Sequence, residues 1–299
     1  MINFQKPLLF HDIIQHNIAL PVCPQVFMEL TQAMAHMDDA SFDLARVLSS
    51  DPMLTARILR VSNSAFYRAS RQISSIREAI VRIGLNEIWT IASALKAKEM
   101  FRVSGDGWSQ FNGYLWRHSL KTAASIRCLA RKLSLLNVEE LFTTALLHDI
   151  GKSILLNVDH QYATMCKQGE VNGEALLKLE FEKFGTHHGR LGGALLRHWN
   201  LPESIARQID GHHEEPDLND EHRLPRLLLS IANEMGHSLD VKPIAGSTTI
   251  RRLVSRELLA KAGIQPNIFL ELEGEADKNF QNLSGGAGLS GTHDGTRIK

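Results

Sequence analysis

Apolar residues recur at three- and four-residue spacing in segment after segment of the chain, and no run alternates with the β-branched enrichment of a half-buried strand. That pattern predicts helices and no sheet. Ser75 followed by Glu78 has the form of a capping box, behind which Ile76, Ala79, Ile80 and Ile83 share a face before Gly84 stops the helix. A second helix follows directly, with Ile88, Ile91, Ala92 and Leu95 as its buried stripe. Upstream, Asp51 and Pro52 supply an N-cap and a first-turn proline ahead of Leu54, Ile58 and Leu59. The stretch 103–112, with Ser104, Gly105, Asp106 and Gly107, interrupts the periodicity and predicts a seam. We therefore expect an all-α, two-lobed helical protein with an N-terminal lobe over 1–105 and a helical bundle over 106–272. From 273 to 299 the composition shifts to Gly, Ser, Asn and charge, which predicts a flexible polar tail, because such a segment buries too little apolar surface to offset its ordering entropy.

Composition narrows the function classes. At 43% hydrophobic the chain has enough apolar side chains for a substantial core. Lys plus Arg and Asp plus Glu both number 33, so no long-range field draws the protein to nucleic acid or an anionic membrane. Gly84 between two short helices invites a helix-turn-helix reading. However, the would-be recognition segment LNEIWTIASALKAKEM carries Lys96 and Lys98 only late, away from the turns that meet base edges. Cys23, Cys128 and Cys166 are scattered, which argues against a disulfide framework or a thiolate metal site. No run approaches the roughly 20 apolar residues a bilayer demands, and charges and histidines interrupt the first residues where a signal core would lie, so the expectation is a cytoplasmic protein without a membrane anchor. Phosphate-binding glycine loops and a Ser-His-Asp nucleophile signature are absent in recognisable form.

The chemistry concentrates in the histidines of the second lobe. His118 continues into Thr122, Ile126 and Leu129 on one helical face. The segment Leu141 to Ile150 is apolar almost all round and ends in His148 and Asp149, below Leu141 and Ala145. A carboxylate so deep needs a cation or several donors: Lys152, one turn on, offers an ion pair, and a metal offers the alternative. His188 shares a face with Leu191, Gly192 and Leu195, whereas His187 falls outside it. After Pro202, Ile205 and Ile209 lead to His212, and Ala206 and Ile209 lead to His213. His160, His198, His222 and His237 sit in polar or unaligned contexts and are expected in solvent. Five inward imidazoles and a carboxylate without thiolate suit one or two divalent ions of iron, manganese or zinc.

The runs HSL at His118, LLHDIGK from Leu146 to Lys152, GTHHGRLGGALLRHWNLP around His188 and HHEE from His212 resemble the HD superfamily of metal-binding phosphohydrolases, especially the subset that holds HD-GYP and HDOD proteins. The segments LPVCPQVFMEL, LARVLSSDPMLTARILRVSNSAFY and ISSIREAIVRIGLNEIW are similar to the N-terminal lobe of HDOD proteins, and the likeness spans about Leu20 to Leu270. The resemblance implies a two-lobed all-α fold with an HD-like C-terminal bundle, a bacterial signalling or regulatory role, and for most HDOD members no established catalysis. It also implies a binuclear site of His118, His148, Asp149, His188, His212 and His213, with Asp149 bridging and Lys152 as an electrostatic aid. Two features depart from the pattern. Asn233, in LLLSIANEMG, stands where the family places a final aspartate, and Glu214, Glu215, Pro216 and Asp217 follow His213 with no Gly-Tyr-Pro, which counts against cyclic-dinucleotide hydrolysis. The leading expectation is a regulator with a divergent metal centre that acts by binding a signalling partner. Its rival is a metal-dependent phosphohydrolase on a nucleotide or other phosphoester, with Asp149 and Lys152 as catalytic groups. A third reading leaves the site metal-free, with Asp149 and Lys152 ion-paired.

Overall fold

A computed structural model of the chain describes residues 7–33, 43–67, 71–101, 109–169, 173–215, 220, 223–238 and 256–286. Among these residues every regular element is a helix. The first half comprises α1 (Phe10–Gln15), α2 (Gln25–Gln32), α3 (Leu44–Ser49), α4 (Pro52–Ser62), α5 (Ile76–Ile83) and α6 (Leu85–Met100). The second half continues with α7 (Ser109–Lys132), α8 (Val138–Leu147), α9 (Ile150–Val158), α10 (Tyr162–Gly169) and α11 (Gly173–Phe184). It ends with α12 (His188–His198), α13 (Glu203–Asp210), α14 (Arg223–Ser238), α15 (Arg256–Lys261) and α16 (Pro266–Gly286). Residues 103–108 of the expected seam and the final stretch 287–299 lie outside the described residues, while 109–112 of the seam form the start of α7. No helix among the described residues is long and apolar enough to cross a membrane.

The local signals act much as their chemistry dictates. The Asp51 carboxylate accepts the Leu54 N–H at 2.9 Å, and Pro52 opens α4. Ser75 Oγ accepts the Glu78 N–H at 3.1 Å, but Glu78 reaches back to the N–H of Ser74 at 2.9 Å, one residue short of a full capping box. Gly84 joins α5 to α6 at φ +100°, in the left-handed region that favours glycine. The α6 face that carries Ile88, Ile91, Ala92 and Leu95 is buried, and Trp89 on the same helix donates its indole N–H to the Leu30 carbonyl at 3.2 Å.

α7 is the axis of the second half, flanked by α8, α14 and α16. It is also tied to the first half: Arg127 of α7, 2% exposed, gives its guanidinium to Glu87 of α6 at 2.6 and 3.3 Å, and Tyr67 donates its O–H to the same carboxylate at 2.9 Å. α9 and α12 cross at closest range through Gly151, where an added Cβ would lie 1.9 Å from the His188 carbonyl oxygen. That contact sets the start of α9 beside the start of α12.

The expected tail is corrected over 273–286, where α16 runs through to Gly286. Leu272, Ala276, Phe280 and Leu283, spaced by four, four and three, are buried, with Arg117 and Lys121 over the Phe280 ring at 5.0 and 5.3 Å. The average composition of the segment is polar, but one stripe of it supplies the apolar face that a helix needs.

Candidate metal centre

Five structural contexts bring the site together: mid-α7 supplies His118, the α8–α9 junction His148, Asp149 and Lys152, the first turn of α12 His188, the turn after α13 His212 and His213, and α14 Asn233. The ligand atoms of His118, His148 and Asp149 all lie within 4.8 Å of one another, and so do those of His188, His212 and His213. Asp149 stands between the two groups. Its Oδ1 is 3.2 Å from His188 Nε2, and its Oδ2 is 3.5 Å from His148 Nε2 and 3.6 Å from His118 Nε2. Lys152 Nζ donates to Oδ2 at 2.7 Å. Asn233, on α14, turns its Oδ1 to His118 Nε2 at 2.8 Å. All eight expected side chains thus converge on one place.

The anchoring of the rings tests whether a metal suits this set. His148 Nδ1 lies 2.7 Å from the Ala145 carbonyl oxygen, and His212 Nδ1 lies 2.6 Å from that of Ile209. A carbonyl oxygen only accepts, so each Nδ1 carries the proton, and in the neutral ring Nε2 presents a lone pair. Both Nε2 atoms are buried and have no hydrogen-bond partner. Buried polar atoms are rarely left so. Nδ1 anchored by a carbonyl, with Nε2 left free to donate its lone pair, is the arrangement that ligating histidines adopt. The cluster is compatible with a metal ion.

Electrostatics agree with that arrangement. Burial holds His118, His148, His212 and His213 below the ordinary imidazole value, which favours their neutral, ligating form, whereas His188, which burial would also lower, is raised by Glu180 and Asp149. Burial alone would push the Asp149 carboxyl up, but His148, Lys152 and His188 outweigh it and hold the group well below the usual carboxylate range. Lys152 is likewise disfavoured as a cation by burial, yet the Asp149 charge carries its pKa above the ordinary lysine value.

Other residues near the site are not where sequence spacing puts them, or went unnoticed. His237, expected in solvent, stacks on His118 with ring centroids 4.2 Å apart. It sits four residues after Asn233, so the same face of α14 supplies both. His187, expected off the buried face, is buried at the N-cap of α12 against Phe181, 5.2 Å between rings. An N-cap residue has left the helical path, so face arithmetic does not govern it. Glu180 on α11 is fully buried, receives the His188 Nδ1 at 2.9 Å, and accepts the Tyr162 O–H. Its signal is its position midway between Leu176 and Phe184 on an apolar stripe, within a run that otherwise reads as solvated charge. His160 and His198 are exposed as expected, and His222 lies outside the described residues.

Comparison with known proteins agrees with the fold. The model of the HDOD domain family matches residues 20–215. An HDOD domain protein of unknown function from Geobacter sulfurreducens superposes with a TM-score of 0.73 at 22% identity, covering 92% of this chain and 96% of that one. A candidate phosphohydrolase from Shewanella amazonensis SB2B gives 0.66 at 22% identity, covering 93% and 98%. A candidate signal transduction protein from Marinobacter aquaeolei VT8 gives 0.69 at 18% identity, covering 92% of this chain and 61% of that one. An uncharacterized protein of Treponema pallidum (strain Nichols) is 23% identical over 268 residues, 88% of this chain, and the chain spans about half the length of that curated relative.

Proposed function

This chain belongs to the HDOD domain family, and from that premise we propose that it is a cytoplasmic regulatory protein whose C-terminal helices carry a divergent metal centre and which acts by binding a signalling protein partner. The observation that carries the reading is the pair of buried, unpartnered Nε2 atoms of His148 and His212, each ring anchored at Nδ1 by a backbone carbonyl three residues back. His188, His212, His213 and Asp149 would hold one ion, and His118, His148 and Asp149 a second. Where the family pattern has a carboxylate at the second ion, this chain offers the neutral amide of Asn233, which favours weaker binding there. The side chains of His118, His148, Asp149 and His188 expose 1%, 0%, 2% and 1%. His213, Asn233 and Lys152 are only partly buried, so the site has a narrow polar opening, and this small exposed area favours binding over turnover. Elemental analysis of protein isolated without a histidine tag tests the centre. Iron, manganese or zinc close to stoichiometric is expected, and less than about a tenth of an equivalent would leave an Asp149–Lys152 ion pair as the whole of the site.

The rival reading, a metal-dependent phosphohydrolase, draws on Lys152 at 2.7 Å from Asp149, a cation beside the would-be bridging carboxylate. A bound divalent ion would supply Lewis acidity and a water of lowered pKa. Lys152 would hold Asp149 ionised and add positive charge for phosphoryl oxygens. Asn233→Asp separates the two readings: a weakened enzyme gains metal content and phosphatase rate, whereas a binding module gains metal alone. Hydrolysis of nucleotides or cyclic dinucleotides at ordinary enzymatic rates by the wild type, abolished in His148→Ala, would overturn the regulatory reading.

A further inference from the structure

We infer that Glu180 is a positioning residue, which fixes the ring of His188 so that its Nε2 faces Asp149 and a bound ion. The inference rests on the metal-bearing reading above. Three rings of the cluster have a visible anchor at Nδ1. His148 and His212 use the carbonyl oxygens of Ala145 and Ile209, three residues back on their own helices, which almost any sequence would provide. His188 uses a side chain from another helix: both Glu180 oxygens lie 2.9 Å from its Nδ1, and Oε2 also accepts its backbone N–H at 2.9 Å.

Glu180 is 0% exposed, and among the described residues its ion pair is with His188 alone. A buried carboxylate whose one ion pair is to an imidazole is costly to keep for packing alone. Its remaining lone pair is filled by the Tyr162 O–H, so the carboxylate is itself held in place. A carbonyl anchor only orients a ring, whereas a carboxylate anchor also makes the opposite nitrogen a stronger donor. His188 Nε2 is the nitrogen that faces both Asp149 Oδ1 at 3.2 Å and His213 Nε2 at 2.8 Å, the junction of the two ligand groups. The ring with the most basic anchor is thus the one placed where an ion would meet the bridging carboxylate.

A purely structural alternative exists, because the same carboxylate caps the first turn of α12 through the His188 N–H. Two isosteric variants separate the roles. Glu180→Gln keeps an oxygen for the cap and removes the charge, and Tyr162→Phe keeps the charge and removes one hydrogen bond from the same network. Zinc affinity, measured by chelator competition, should fall about 10- to 100-fold in Glu180→Gln and stay close to wild type in Tyr162→Phe, even if both lower the melting temperature of the zinc-free chain. Equal zinc affinity in wild type and Glu180→Gln overturns the inference and leaves the metal centre standing. Failure of the wild type to bind zinc overturns the metal reading and this one with it. Should Glu180→Gln not fold, proton–nitrogen correlation on the zinc-loaded wild type decides. A slowly exchanging Nδ1 proton on His188 is expected, and its absence overturns the assignment.

Discussion

Asp149 has more than one partner for its charge. One oxygen meets Lys152 at 2.7 Å, and the two oxygens together face His118, His148 and His188, rings of which His118 and His148 are kept neutral by burial. In a metal-free chain Lys152 therefore shares the neutralising of Asp149 with His188, whose pKa burial would lower but Glu180 and Asp149 raise, while a bound cation would take over part of that task. Lys152→Met isolates the difference. Without metal it leaves a buried carboxylate without its partner and should cost about 3–5 kcal/mol. With zinc bound, the ion takes over the pairing and the cost should shrink to a fraction of that. Calorimetric unfolding of wild type and variant, each in chelator and in zinc, reads the difference directly. An equal loss in both conditions would show that zinc does not sit against Asp149.

Among the elements, α9 and α12 make the contact on which the site geometry turns, because α9 begins beside Asp149 and carries Lys152, and α12 begins with His188. Gly151 permits it: a Cβ there would meet the His188 carbonyl oxygen at 1.9 Å and the Gly192 nitrogen at 2.8 Å, both backbone atoms that cannot swing aside. Gly151→Ala should force the two helices apart, destabilise by about 3 kcal/mol, and weaken metal binding as His188 moves from Asp149. Thermal unfolding and zinc titration check both effects, and unchanged zinc affinity would sever the link between this crossing and the site. Helix faces are also what made the site legible in the sequence. His118, His148, His188 and His212 each continue an apolar stripe, and a stripe fixes which way a side chain points. Glu180 was not legible because one acidic residue inside a stripe looks like surface charge until its partners from other elements, Tyr162 and His188, are known. His237 was missed for the same reason: its partner His118 lies on α7, more than a hundred residues away in the chain. The α16 stripe was hidden by averaging over a polar segment, although Leu272, Ala276, Phe280 and Leu283 spell it out.

Across the whole molecule, the two halves expected from the sequence share polar as well as apolar contacts. α16 lies on α7 and also reaches α4, and the partly buried Glu87–Arg127 pair with Tyr67 joins α6 to α7. That pair gives the joined fold a defined acid response. Burial pushes the Glu87 carboxyl up, but the hydrogen bonds and charge of Arg127, with help from Tyr67 and Arg131, bring it below the ordinary glutamate value. A carboxyl whose folded pKa lies below its unfolded value, about 4.3, adds stability above that pH and loses it as pH falls through the folded value. Glu87→Gln should therefore cost about 3 kcal/mol at neutral pH, because Arg127 is left buried without its counter-charge. The gap to wild type should narrow as pH falls from about 4.3, where the unfolded carboxyl protonates, toward the lower folded value, below which the two side chains are alike. Since α6 and α7 belong to different halves, the loss should appear as one lowered transition for the whole chain and not as early melting of one half. Urea unfolding followed at neutral and acid pH by tryptophan fluorescence, with Trp89 in the first half and Trp116 in the second as reporters, measures both features. A gap that stays constant down to pH 3, or two separated transitions in the variant, would show that this pair does not hold the halves together.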